Sequence, residues 1–192
     1  MARPLGDRHS VRMSATREAV VVTGLYGAGK SSLVAEMAER LERANLSYGA
    51  IDVDWLSWYH LPDAAPDTEF RSSNVAYVVD RYLAAGAQRL LLAHAASVDA
   101  DVEALRRLIP CPVRVVRLDV PLTTIEQRLS PDPTIGRADD LAVARSWAAA
   151  GLGQVAADLV LDGEAPLADT AARVLAWLGW FPDEPEQRPE SG

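Results

Sequence analysis

Ala19-Val20-Val21-Val22-Thr23 runs straight into Gly24-Leu25-Tyr26-Gly27-Ala28-Gly29-Lys30-Ser31-Ser32. A β-branched run of this kind favours an extended strand. Beyond the glycines, Leu33, Val34, Met37, Ala38 and Leu41 recur at helical spacing, so an amphipathic helix follows. Gly24, Gly27 and Gly29 let the backbone turn tightly, with its N–H groups pointing inward as an anion nest at the helix N-terminus. Residues 24–31 match the pattern G-x-x-x-x-G-K-[ST] in full. Phosphate is the guest such a loop fits. Lys30 is placed to reach the β- and γ-phosphate oxygens and the Ser31 hydroxyl to serve Mg²⁺, with Leu25, Tyr26, Ala28 and Ser32 completing the binding loop.

Outward from this unit, apolar strand-like runs alternate with helical patterns. Strands are expected at 18–23, 47–53, 88–93, 113–119 and 157–161. Helices are expected at 30–44, 68–86, 98–109, 121–129, 139–150 and 165–178. Five strands separated by helices call for a parallel α/β sheet covered on both faces, with right-handed crossovers. Ligands of such sheets bind at the C-terminal ends of the strands, so the residues just past each strand carry the functional question.

Past the second strand lie Asp52 and Asp54, flanking Val53. Carboxylates at i and i+2 share a strand face or straddle its end, and phosphoryl transfer needs two such groups. Asp52 is assigned to the metal side. Asp54 is assigned as the base or substrate-orienting group, with a role as turn cap the alternative for both. Trp55, Trp58, Tyr59 and His60 follow, ahead of a loop to Asp67, in a chain with only 6% aromatic residues. Trp55 and Trp58 suit either an acceptor pocket or the core. Arg71, with Arg81 as a second choice, is available to an anionic group of the acceptor. His60 and His94 show no partner in the sequence. The third strand ends in Ala93-His94 and offers no acid where many phosphate-loop ATPases place one. Asp119, ending the fourth strand ahead of Pro121, suits a turn or cap.

Residues 130–139 read Ser-Pro-Asp-Pro-Thr-Ile-Gly-Arg-Ala-Asp, a hinged cover between two arginine-bearing helices. Arg137 is expected to close over the transferring phosphoryl group, and Arg128 and Arg145 to meet the adenine or phosphates. Asp139 and Asp140 are expected to cap the helix that begins there.

With 192 residues and 49% hydrophobic content, one domain over 18–181 is expected, between flexible tails at 1–17 and 182–192. The tails carry no expected chemistry, and Met13 is an alternative start. A net charge of −8 and a pI near 4.9 disfavour nucleic acid as a partner. The single cysteine, Cys111, excludes a disulfide framework and reads as an inert packed residue. No run reaches membrane-spanning length, so a soluble cytoplasmic protein, with access to ATP, is the expectation.

The loop, the Asp-x-Asp pair and the cover together resemble the small-molecule and nucleotide kinases of the phosphate-loop superfamily over about residues 18–180. Gly24–Ser31 with Ile51-Asp52-Val53-Asp54 is similar to adenylylsulfate kinase, gluconate kinase and chloramphenicol phosphotransferase. Arg137-x-Asp139-Asp140 is similar to the lid end of nucleoside monophosphate kinases, and Leu178-Gly179-Trp180 to actinobacterial ATP-binding proteins. The resemblance implies a five-stranded sheet in the order 2-3-1-4-5, Mg-ATP as donor, and Asp162-Gly163 as the backbone beside the adenine. It departs from adenylylsulfate kinases at Val53, where those have glycine. The function implied is transfer of the γ-phosphoryl group of ATP to a hydroxyl of a small metabolite, nucleoside or antibiotic-like acceptor. The alternative is a nucleotide-binding regulatory module with little turnover. The residues leave the acceptor and the oligomeric state open.

Overall fold

A computed structural model describes residues 16–58, 68–130 and 135–181. Five parallel strands form one sheet: β1 (Glu18–Thr23), β2 (Tyr48–Asp52), β3 (Arg89–Ala93), β4 (Val113–Asp119) and β5 (Leu159–Asp162). Their order across the sheet is β2-β3-β1-β4-β5. The helices are α1 (Lys30–Arg43), α2 (Thr68–Ala84), α3 (Asp99–Leu108), α4 (Leu122–Leu129), α5 (Ile135–Ala150) and α6 (Leu167–Leu178), with a 3-10 turn at Trp55–Ser57.

The continuous apolar character of the central strands follows from burial on both faces. Val20 and Val22 of β1 join Leu91 of β3 in the layer packed by Leu33, Met37 and Leu41 of α1 and Val174 and Leu175 of α6. The alternate residues Ala19, Val21, Leu90 and Leu92 face Val75, Val79 and Leu83 of α2 and Leu105 of α3. A third, smaller cluster joins Val115 of β4 to Ala96, Val102 and Val155. Register fixes the ligand end. Val22 of β1 lies beside Ala93 of β3 and Val116 of β4, and Asp52 of β2 beside Ala93, so the chain leaves these strands along one common edge.

Gly49 of β2 shows how close the helix layer comes. A Cβ there would meet Tyr82 Cδ2 of α2 at 2.4 Å. Gly49→Ala is therefore expected to destabilise the fold by about 1–3 kcal/mol, because the partly buried Tyr82 ring has to shift. A thermal melt several degrees below wild type checks this, and an unchanged melt contradicts it. Cys111 is half-buried and free, and burial pushes its thiol pKa up, which favours the protonated form.

Most expected elements agree with the observed ones to within two residues. The exception is α5, which starts at Ile135 rather than 139. Gly136 in a first turn does not stop a helix, because glycine keeps its backbone N–H and costs only about 1 kcal/mol relative to alanine even in a helix interior. Asp139 and Asp140 therefore lie inside α5 and do not cap it. Residues 1–15 of the expected N-terminal tail at 1–17, the expected tail at 182–192, the loop at 59–67 with Tyr59 and His60, and cover residues 131–134 lie outside the described residues.

Candidate active site

The turn between β1 and α1 is built as its residue types require. Gly24 has φ 139°, and a Cβ there would sit 2.7 Å from the Leu118 carbonyl oxygen, so only glycine lets the loop pass β4. Gly29 precedes α1 in the left-handed region at φ 98°, which places Lys30 and Ser31 in the first helical turn. Lys30 is 6% exposed. Its ammonium donates to the Leu25 carbonyl at 3.0 Å and lies 5.1 Å from the centre of the Tyr26 ring. Burial pulls the Lys30 pKa below its ordinary value, against the opposing pull of Asp54, Asp52 and Asp140.

One carboxylate from the end of β2 reaches the loop. The Ser31 hydroxyl donates to Asp52 Oδ2 at 2.6 Å, and the Asp54 backbone N–H donates to Asp52 Oδ1 at 3.1 Å. Because β3 separates β2 from β1, the contact spans the end of β3 rather than joining neighbours. Asp52 ends β2 and Asp54 lies beyond it, so the pair straddles the strand end.

Asp54 turns to the other side. Its Oδ1 lies 2.9 Å from His94 Nδ1, and the Ala95 N–H donates to Oδ2 at 3.1 Å. Burial alone would push its carboxyl up. The hydrogen bond and charge of His94, the charge of Lys30 and the Ala95 N–H outweigh that and hold its pKa below the ordinary carboxylate value. Asp54 is therefore ionised at neutral pH. Neither acid is a simple turn cap, since each has a partner on a different element.

Tyr26 lies between the two sides. Its ring packs edge-on against Trp147 of α5 at 5.5 Å. Burial first, then Asp54 and Asp140, push its pKa up to about 12, while Arg71 pulls the other way. The phenol thus stays protonated as a donor, with Arg71 of α2 within electrostatic reach. Arg71 Nε is buried and has no hydrogen-bond partner among the described residues. Trp55 and Trp58 are 64% and 70% exposed and meet edge-on at 4.6 Å. They are surface residues, so the core reading of these tryptophans is corrected.

On the opposite side of the loop a cleft of about 530 Å³ is lined by Gly27–Ser32, Arg128, Gly163, Ala165, Leu167 and Thr170. This is the size of an ordinary small-molecule site. Arg128 forms one wall, donating to the carbonyls of Ala28 at 3.2 Å and Gly163 at 2.8 Å. Gly163 is required by packing, since a Cβ would lie 2.3 Å from Val120 Cγ2. Asp162 is not part of the cleft. It ends β5, and its carboxylate accepts the Glu164 N–H at 2.8 Å. Asp119 ends β4 and takes no part beyond its carbonyl, which accepts the Gly163 N–H at 2.9 Å.

One lid expectation changes. Arg145 Nε donates to Glu126 at 2.7 Å, because α4 packs beside α5 and carries the nearer anion, so Arg145 does not face the loop. Arg137 lies in the first turn of α5, and its side chain is outside the described part of the chain. Arg81 is exposed on α2. His94 and Trp147 are the site residues that the sequence reading missed. The signal for His94 was available, since the first polar side chain past a central strand falls at the ligand end of the sheet.

No protein-family model and no curated protein matches the chain. Solved structures do. The Mycobacterium tuberculosis APS kinase, in complex with AMPPNP and APS, shares 22% identity at a TM-score of 0.60, over 85% of this chain and 98% of that one. The fold is that of the P-loop kinases. A sugar kinase from Janibacter sp. HTCC2649 matches at 23% identity and TM-score 0.60, over 85% of this chain and 95% of that one. The Deinococcus radiodurans tunicamycin resistance protein matches at 18% and 0.56, over 88% and 99%. At these identities the likeness is one of fold, and the sheet order expected from the sequence is the order of this P-loop kinase fold. Among the described residues no helix is long and apolar enough to cross a membrane.

Proposed function

We propose that the chain is a kinase that transfers the γ-phosphoryl group of ATP to a hydroxyl of a small acceptor. The observation that carries this reading is the divergence of the two carboxylates. Asp52 meets the Ser31 hydroxyl of the phosphate loop, whereas Asp54 is held away from it by the end of β3. Separated roles for a metal-side acid and an acceptor-side acid are what phosphoryl transfer to a hydroxyl requires.

The cleft beside Arg128 and Gly163 suits the nucleoside of the donor, and the loop N–H groups with Lys30 suit its phosphates. Ser31 Oγ and Asp52 Oδ2, 2.6 Å apart, are hard oxygen donors of the kind Mg²⁺ takes. Among the described residues no group of three or more His, Cys, Asp or Glu could hold a metal unaided, which fits a cation carried in on phosphates. When bound, Mg²⁺ neutralises charge on the β- and γ-phosphates. In the transfer, the acceptor oxygen bonds to the γ-phosphorus and the bond to the β–γ bridging oxygen breaks. ADP leaves, and the hydroxyl proton goes to Asp54. Arg71 Nε, without a hydrogen-bond partner among the described residues, supports an acceptor that offers a carbonyl, carboxylate or phosphate oxygen.

The test is ADP release from Mg-ATP with pooled nucleosides, sugars, amino-alcohols, and aminoglycoside or phenicol antibiotics, with Lys30→Ala as control. Release that requires one pool and vanishes in the control is expected. Silence in every pool, with ATP binding intact by calorimetry, would favour a nucleotide-holding regulatory module instead.

A further inference from the structure

His94 is the first residue past β3, the strand that lies between β2 and β1. Its backbone is fixed from both sides. Its N–H donates to the Val22 carbonyl of β1 at 3.0 Å, and the preceding Ala93 carbonyl accepts the Val53 N–H at 2.9 Å. The side chain is only 3% exposed and lies 2.9 Å from Asp54, whose side chain is 24% exposed at the edge of the site.

An ionised carboxylate has only acceptors, so His94 Nδ1 must carry the proton of this contact. Burying an imidazole is costly unless it is hydrogen-bonded, and a charge-assisted bond to Asp54 meets that cost. Such a bond also acts on the acid. Oδ1 is taken by the imidazole, and Ala95 N–H reaches Oδ2 at 3.1 Å and Oδ1 at 3.4 Å. Two donors on the edge of one carboxylate fix its plane and stop rotation about the Cβ–Cγ bond. One lone pair of Oδ2 is left to point away from the donors.

We propose that His94 is the positioning residue for the proton acceptor of this site, clamping the Asp54 carboxylate so that its free oxygen meets the incoming hydroxyl. The proposal rests on the reading of Asp54 as proton acceptor in phosphoryl transfer. In this protein the end of the third strand then contributes a hydrogen-bond donor that orients a base, in place of an acid.

The variants that test it differ in where they carry a donor. His94→Asn keeps an N–H on Cγ, at about the position of Nδ1. His94→Gln keeps polarity and bulk but moves the donor one bond further out, and His94→Leu removes it. Each is compared by steady-state kinetics with the best acceptor pool, by ATP calorimetry and by thermal melting. In the Leu and Gln proteins kcat is expected to fall about thirtyfold or more, while KM for acceptor and affinity for ATP stay within about twofold. The Asn protein is expected to recover to within about fivefold of wild type. On an Asp54→Asn background, His94→Leu is expected to cost nothing further, because a residue that acts through another has no effect once that other is gone. Leu and Gln proteins with wild-type kcat would overturn the proposal, as would an Asn protein no better than Gln. If the Leu protein does not fold, Asn against Gln decides alone. A wild type without acceptor-dependent turnover would overturn the kinase reading and this proposal together, whereas a working wild type with unaffected His94 variants overturns this one only.

Discussion

Lys30→Met is expected to reduce acceptor-dependent ADP release by about a thousandfold and yet to raise the melting temperature of the ligand-free protein. The first effect follows from the position of the ammonium. It sits at the first residue of α1, inside the loop, where it alone among the loop side chains is cationic. Removing it takes away a charge interaction that grows as the bond to the leaving phosphate breaks. The second effect follows from the cost of keeping that charge buried. Among the described residues Lys30 has one hydrogen bond, to the Leu25 carbonyl, and the face of Tyr26 nearby. Burial outweighs the nearby acids, so its pKa is lowered from 10.5. With a folded pKa below the unfolded one, the unfolded chain binds more protons between the two values, and stability rises with pH from the folded value up to the unfolded one. Replacing a buried charge with an apolar side chain of similar length should yield about 1 kcal/mol, or roughly 2–4 °C for a chain of this size. Acids left behind do not cancel the gain, because Asp52 retains Ser31 and Asp54 retains His94 and Ala95. Calorimetric melts at pH 7 and pH 10 check the sign. A Met protein that melts below wild type at pH 7 would show that the ammonium stabilises the free fold.

What could be read before the structure was in hand divides along a physical line. The strand-loop-helix unit was legible because local constraints specify it: glycines at positive φ, a β-branched run and a helical stripe all act within about 25 residues. The Ser31–Asp52 contact was nearly legible, since a sheet with the order 2-3-1-4-5 brings the end of β2 toward the loop whatever the loops do. The partner of Asp54 was not. Nothing local links Asp54 to His94, forty residues away, and the sequence shows a histidine after leucines without saying which neighbour it meets. Arg145 fails for a related reason. Arg145 is positioned by the packing of α4 against α5, and a single acid one helix away, Glu126, is enough to take it from the loop. Long flexible cations are poorly specified by sequence because several anions can satisfy them at nearly equal cost. Trp55 and Trp58 were ambiguous because their exposure depends on how the chain leaves the 3-10 turn, a loop property with no periodic signature.

Asp54→Asn separates the two carboxylates by function. The substitution keeps size and shape, and the amide oxygen can still accept from Ala95 N–H, so the melting temperature is expected to stay within a few degrees of wild type. What is lost is the negative charge that His94 and Lys30 surround. If Asp54 takes the proton of the attacking hydroxyl, turnover should fall about a thousandfold, near 4 kcal/mol of transition-state stabilisation, with ATP affinity unchanged. Asp52→Asn should behave differently, because Asp52 faces Ser31: the Mg²⁺ concentration for half-maximal rate should rise, and part of the loss should return at high Mg²⁺. A group that merely binds the acceptor would raise KM and leave kcat alone, whereas a group that acts only in the transition state lowers kcat with KM held. The acid limb gives an independent sign check. Because the folded pKa of Asp54 lies below its ordinary value, its ionised form persists as pH falls through the neutral and weakly acidic range. The stability it contributes is present above the unfolded pKa and is lost only as pH drops through the lower, folded value. A rate that declines between pH 7 and pH 5.5 in wild type, but not in Asp54→Asn, would require a proton acceptor with a raised pKa and would remove Asp54, in the environment described here, from that role.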